Sequence, residues 1–193
     1  MNSVIVGVLA LQGDFREHAA ALEQLGVESI LVRTVVDLMA VDALVIPGGE
    51  SSTIGKLAEW HGLVGPLRRR IGDGLPTLGT CAGMIFLARA VAKGPDQVQL
   101  GVLDVVVRRN AFGRQVDSFE AEISVDGLDE PVHAVFIRAP WIEKAGDGID
   151  ILAEVDGHPV LVRQGSVIAT SFHPELTGDL RLHTLLLNMV GVS

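Results

Sequence analysis

The stretch Leu78-Gly79-Thr80-Cys81-Ala82-Gly83-Met84 constrains this chain more than any other, because it dictates a junction between two kinds of secondary structure. Leu75-Pro76-Thr77-Leu78 before it is short and apolar and predicts a buried strand, while Met84 to Ala90 after it predicts a helix. Between them the only cysteine of the chain stands two residues from a glycine on each side. A nucleophile flanked in this way at a strand-to-helix turn is the pattern of a nucleophile elbow, a sharp and strained turn with no room for a Cβ at its flanks. The turn lifts the sulfur out of the sheet and sets it at a helix N-terminus, where the dipole favours a thiolate. The backbone N–H of Ala82 then lies where an oxyanion would form. A lone cysteine is more often a buried structural residue; the paired glycines shift the balance towards a reactive one.

The rest of the first half alternates between strand and helix patterns. Val4 to Leu11 is a continuous apolar run that fits a parallel strand covered on both faces. Asp14 to Leu25 carries Phe15, Ala19, Leu22 and Leu25 at helical spacing, and Gly26 ends it. Ser29 to Val32 and Val41 to Ile46 predict two more strands, the second stopped by Pro47-Gly48-Gly49. Ser51 or Ser52 can cap a helix running through Leu57 and Trp60, and Pro66 to Arg70 begins a shorter helical piece. This order implies an α/β sheet with right-handed crossovers.

The second half is richer in short strand patterns: Leu100 to Arg108, Ser118 to Val125, Val132 to Arg138, Ile149 to Val155, Pro159 to Arg163 and Ser166 to Thr170, with hairpin turns at Gly157 and Gly165. Thr177 to Val190 predicts a closing helix. No repeat, low-complexity tract or linker interrupts residues 1–193, so one domain is expected. At 48% hydrophobic the chain can bury a full core, and a formal net charge of −9 disfavours nucleic acid or an anionic membrane as main partner. Residues Met1 to Gly7 fit a first strand better than a signal peptide, and no apolar run approaches a membrane span. A single cysteine excludes an internal disulfide and points to a reducing, cytoplasmic setting.

Two further places supply reactive groups. Ser171-Phe172-His173-Pro174-Glu175 closes the last strand. In an extended segment positions 173 and 175 point the same way, so the imidazole can take a thiol proton while the carboxylate fixes its tautomer. Alone, His-Pro-Glu is a common surface turn. Pro47-Gly48-Gly49-Glu50-Ser51-Ser52 follows a strand and precedes a helix, and its two glycines let backbone N–H groups approach an anion. No Gly-Lys-Ser/Thr follows, which sets aside a phosphate loop; alone, the segment reads as a tight turn. All three places lie at the carboxyl ends of strands, where α/β sheets bind ligands.

Taken together, these segments resemble class I, triad-type glutamine amidotransferases, and within them most resemble the glutaminase subunits of pyridoxal 5′-phosphate synthase. The resemblance runs end to end through Gly7-Val8-Leu9-Ala10-Leu11-Gln12-Gly13-Asp14, Pro47-Gly48-Gly49-Glu50-Ser51, the Cys81 elbow, Arg109-Asn110-Ala111-Phe112-Gly113-Arg114-Gln115, Phe136-Ile137-Arg138-Ala139-Pro140 and Ser171 to Glu175. Ser52 and Ala111 depart from the family pattern, where threonine and serine are expected.

The resemblance implies a three-layer, flavodoxin-like α/β fold, with helices on both faces of a mixed, mostly parallel sheet. It implies hydrolysis of L-glutamine to L-glutamate and ammonia through a cysteinyl thioester, with Cys81 as nucleophile, His173 as acid/base and Glu175 as orienting carboxylate. Gly49 and Ala82 would form the oxyanion hole, and Gly49, Glu50, Ser51, Arg109, Ile137 and Arg138 would contact glutamine. Gln12 would sit near the oxyanion loop and the partner interface. The ammonia would pass to a separate synthase subunit that makes pyridoxal 5′-phosphate (vitamin B6), in a large complex built on a ring of synthase subunits. No metal and no prosthetic cofactor are implied. Arg108 and Arg114 are expected as solvated charges, and His18, His61, His133, His158 and His183 as structural or surface residues. A metal site on the reactive side chains is disfavoured by the glycine-flanked elbow, and a non-catalytic relative by the presence of all three triad residues.

Overall fold

Apolar strands alternating with helices build the first half of the protein: β1 (Ile5–Leu9), α1 (Phe15–Gln24), β2 (Glu28–Val32), α2 (Val35–Met39), β3 (Ala43–Ile46), α3 (Ser51–Trp60), α4 (Val64–Gly72), β4 (Thr77–Thr80) and α5 (Ala82–Leu87). The second half runs β5 (Ala88–Val91), β6 (Leu103–Arg108), β7 (Ser118–Ile123), β8 (Val132–Ile137), β9 (Trp141–Ala145), β10 (Asp150–Val155), β11 (His158–Gln164), β12 (Val167–Thr170) and α6 (Arg181–Val190). These elements come from a computed structural model that describes residues 4–94, 96–112 and 118–191.

Seven strands form one sheet in the order β2-β1-β3-β4-β12-β11-β10. The first five run parallel, and β11 and β10 complete the far edge through antiparallel pairings. Every residue of β3, β4 and β12 is buried, as expected of strands covered on both faces. Alternation divides the core in two. Leu44 and Ile46 of β3 face a cluster with Ile54 of α3, Leu67 of α4, Phe86 of α5 and Leu103 of β6. Ala43 and Val45 face a second cluster with Leu22 of α1, Leu186 of α6 and Phe136 of β8. The sheet is thus the middle of three layers, with the small β5-β6-β9 sheet joining the first cluster and the β7-β8 hairpin the second. No helix of the described residues is long and apolar enough to cross a membrane.

The structure departs from the sequence expectations in places with clear causes. The helix after the elbow stops at Leu87 rather than Ala90, because Leu100 and Val102 donate to the carbonyls of Phe86 and Leu87 and draw the chain into strand pairing. The closing helix begins at Arg181, after a turn in which Gly178 adopts φ +71° and Arg181 pairs with Asp179. Helix α2 was not expected; Thr34 and Asp37 cap it reciprocally. Strand β9 was likewise unforeseen. The cap of α3 is Glu50, not Ser51 or Ser52.

Phe172 shows how packing holds the site. It is fully buried, its ring centroid lies 5.5 Å from that of Phe136, and it immediately precedes His173. Phe172→Ala is expected to lower stability by about 3–5 kcal/mol in urea unfolding. A loss below about 1 kcal/mol would show that this side chain does not anchor the segment.

Candidate active site

A cavity of about 380 Å³ opens at the carboxyl ends of the parallel strands, on the scale of small-molecule sites. Its lining includes Gln12, Asp14, Gly49, Glu50, Ser51, Cys81, Ala82, Arg109, Ile137, Arg138 and His173. Every cavity residue expected from the sequence is therefore at one place, and Glu175 stands behind it on His173.

The elbow is as tight as its glycines require. A Cβ on Gly83 would collide with the carbonyl oxygen of Ile46 on β3, and one on Gly79 with Leu87. Cys81 itself sits at φ +49°, a strained setting for a residue with a side chain. Its N–H donates to the carbonyl of Thr170 at 2.7 Å, tying Cys81 to the neighbouring strand. Ala82 opens α5, so its N–H has no acceptor within the helix. Asn110 (φ +46°) and Arg138 (φ +42°) also line the cavity, so three of the five non-glycine residues with positive φ among those described meet here.

His173 and Glu175 come together differently from the extended geometry expected. Pro174–Leu176 is a 3₁₀ turn, and it carries Glu175 back onto the ring. The Nδ1–H of His173 can donate to Glu175 Oε1 at 2.7 Å, and Asp14 Oδ2 lies 3.4 Å from the same nitrogen. Burial pushes the imidazole pKa down, but Asp14, Cys81 and Glu175 outweigh it and hold the imidazolium well above its ordinary range. Burial raises the pKa of Glu175, opposed by its bond to His173.

Glu50 serves the loop and the cavity together. Its carboxylate accepts from the N–H and hydroxyl groups of Ser52 and Thr53 and from Arg109 Nη2 at 3.0 Å. Burial works to raise its pKa, yet those donors hold it down at about 2, so it is ionised throughout the physiological range. Gln12 Oε1 accepts the Glu50 N–H at 2.8 Å, and Gly49 has φ +154°, a conformation that only glycine adopts readily. Asp14 donates its N–H to the Gly48 carbonyl at 3.0 Å.

Several residues of the site were not foreseen. Asp14 stands at the N-cap position of α1, but its side chain makes no cap bond to the helix and turns to His173 instead. Gln97, in an unpatterned loop, accepts from the Ser51 hydroxyl and from Arg109. His18 is buried against Glu175, at 3.3 Å. Outside the cavity, Arg108 is solvent-exposed as expected and pairs at the surface with Glu143 at 2.6 Å. Gly113, Arg114 and Gln115 lie outside the described residues.

Residues 8–192 match the model of the SNO glutamine amidotransferase family. The chain belongs to this family. It is 58% identical over 195 residues to the pyridoxal 5′-phosphate synthase subunit PdxT of Frankia alni, covering 100% of this chain and 98% of the relative. To the protein of the same name from Mycobacterium bovis it is 58% identical over 189 residues, 96% of each chain. A crystal structure described as a glutamine amidotransferase superposes with a TM-score of 0.93 at 54% identity, over 97% of this chain and 99% of the other. A putative GMP synthase component from Thermoplasma acidophilum shares the fold alone, with a TM-score of 0.73 at 18% identity over 99% and 96% of the two chains.

In this SNO-family site the placement of His173 makes a prediction about the thiol. At neutral pH, alkylation of Cys81 by iodoacetamide should slow by at least about tenfold in His173→Asn, because the sulfur loses the imidazole bonded to it. Equal rates in the two proteins would contradict that pairing.

Proposed function

We propose that this chain, acting as one domain over residues 1–193, hydrolyses L-glutamine to L-glutamate and ammonia and hands the ammonia to a pyridoxal 5′-phosphate synthase subunit. The observation that carries the reading is the convergence of a strained, glycine-flanked Cys81 and a carboxylate-bound His173 on one cavity rimmed by charged groups. The family membership and the names of the relatives supply the substrate and the partner.

The mechanism follows from the geometry. With Nδ1 committed to Glu175, His173 already holds the Cys81 proton on Nε2, and the sulfur attacks the side-chain amide carbon of glutamine as the thiolate of that ion pair. The negative oxygen of the tetrahedral intermediate meets the N–H groups of Gly49 and Ala82. His173 then returns the proton to the departing nitrogen, leaving a γ-glutamyl thioester and free ammonia. Water, deprotonated by the same imidazole, hydrolyses the thioester. Arg109 and Arg138 suit the α-carboxylate of glutamine, Glu50 suits its α-ammonium, and Ser51 and Ile137 complete the walls. The reaction needs no metal or prosthetic group.

A free glutaminase would waste glutamine, and the oxyanion loop supplies a means of control. The peptide joining Gly48 and Gly49 is oriented by the Asp14 N–H, and the next N–H is held by Gln12. Docking of a synthase subunit near Gln12 would reset this peptide so that the Gly49 N–H completes the hole. The assembly is a ring of synthase subunits carrying glutaminase subunits, in the cytoplasm, where a reactive thiol stays reduced.

Two assays test this reading. Cys81→Ala should release no ammonia from glutamine, His173→Asn should lose nearly all activity, and Glu175→Gln should retain more, since acid–base help is worth about 10²–10⁴-fold and an orienting group less. Normal turnover by Cys81→Ala would overturn the assignment. Adding the synthase subunit to the pure chain should raise ammonia release by at least about tenfold, as one oxyanion donor is worth roughly 10²–10³. Equal rates with and without it would discard the control by docking and leave the chemistry standing.

A further inference from the structure

Behind the catalytic pair lies a second set of buried polar groups that the mechanism above does not use. His18 of α1 and His183 of α6 are both fully buried. His18 Nδ1 lies 2.9 Å from His183 Nε2. On its other side His18 Nε2 lies 3.1 Å from Thr80 Oγ1, one residue before the nucleophile, and 3.3 Å from Glu175 Oε2. That carboxylate oxygen is buried and makes no hydrogen bond of its own among the described residues.

The chemistry fixes the protons. A carboxylate oxygen cannot rest beside an imidazole lone pair in a buried site without cost, so His18 carries its hydrogen on Nε2, where it bonds Thr80 Oγ1 and turns its positive edge towards Glu175 Oε2 at 3.3 Å. Its Nδ1 is then an acceptor, and His183 must donate from Nε2. This leaves His183 Nδ1 as a bare acceptor, which agrees with its being buried without a partner; an N–H there would be a more costly orphan. Burial first, then His183 and His173, hold the pKa of His18 well below its ordinary value, and burial holds His183 at about 4 against the pull of Asp179. Both rings are therefore neutral at neutral pH, as a directed chain of donors requires.

We propose that His18 is a positioning residue of the glutaminase reaction: with its tautomer set by His183, it faces the second oxygen of Glu175 with the positive N–H edge of its ring and keeps that buried group an ionised, correctly turned carboxylate for His173. The charged and titratable groups around it are Glu175 and His173 from the turn after β12, Asp14 at the start of α1, and His183 and Asp179 at α6; Thr80 of β4 contributes only a hydroxyl. Burial already pushes the Glu175 pKa up. Without the His18 donor it rises further, Glu175 takes a proton at a higher pH, and a protonated Glu175 no longer supports the imidazolium. The acid limb of activity therefore moves upward in pH. This inference rests on the triad reading, and its test separates the two.

The experiment measures kcat/KM for ammonia release against pH, using the chain assembled with its synthase subunit. His18→Leu removes the donor, and His18→Gln restores an N–H near the position of Nε2. In His18→Leu the acid limb should shift up by about one pH unit, about tenfold at a fixed pH on that limb, with most of the rate recovered at alkaline pH. His18→Gln should stay within about threefold of the parent and keep its limb. His183→Leu, which removes the group that sets the tautomer, should shift the limb in the same direction by less, and provides the test should His18→Leu fail to fold. A pH-independent loss in these variants, or an unshifted limb, overturns the positioning role. Activity in Cys81→Ala would instead overturn the triad reading on which it rests.

Discussion

The first turn of α5 rests directly on the backbone of β3, and the rest of the site depends on that close approach. Only a residue without a Cβ at position 83 lets the helix come so near the Ile46 carbonyl, and only then does the chain turn sharply enough at Cys81. The strain at φ +49° is held because Cys81 N–H is bonded to β12 and the surrounding elements are fully buried. The same sheet register that fixes β12 beside β4 brings His173, three residues beyond Thr170, to Cys81.

Charge is arranged in the site by who donates to whom. Glu50 is saturated by the first turn of α3 and by Arg109, which makes it a permanent anion at the cavity rim. Glu175 is buried, with His173 bonded to one oxygen at 2.7 Å and His18 3.3 Å from the other, and burial raises its pKa. Two carboxylates in one site thus have pKa values shifted in opposite directions, set by burial and hydrogen bonding rather than by residue type.

Much of this was legible in the sequence where a residue type has one physical purpose. Glycines at 79 and 83 mark the elbow, continuous apolar runs mark the buried parallel strands, and the pairing of His173 with Glu175 follows from their spacing, although through a 3₁₀ turn rather than an extended strand. What was not legible depends on tertiary placement. Asp14 opens α1 yet turns its side chain to His173, Gln97 lies in a loop without pattern, and His18 and His183 stand 165 residues apart with nothing local to link them. Helix α2 had a readable signal in Thr34-x-x-Asp37, too short a segment to stand out by periodicity.

The central claim is a covalent intermediate on Cys81, and rapid-quench mass spectrometry of the assembled enzyme during glutamine turnover tests it most directly. The account requires a transient mass increase of one γ-glutamyl group, mapped to the peptide containing Cys81 and lost as glutamine is exhausted. Steady ammonia release with no such adduct, or an adduct on another residue, would contradict it.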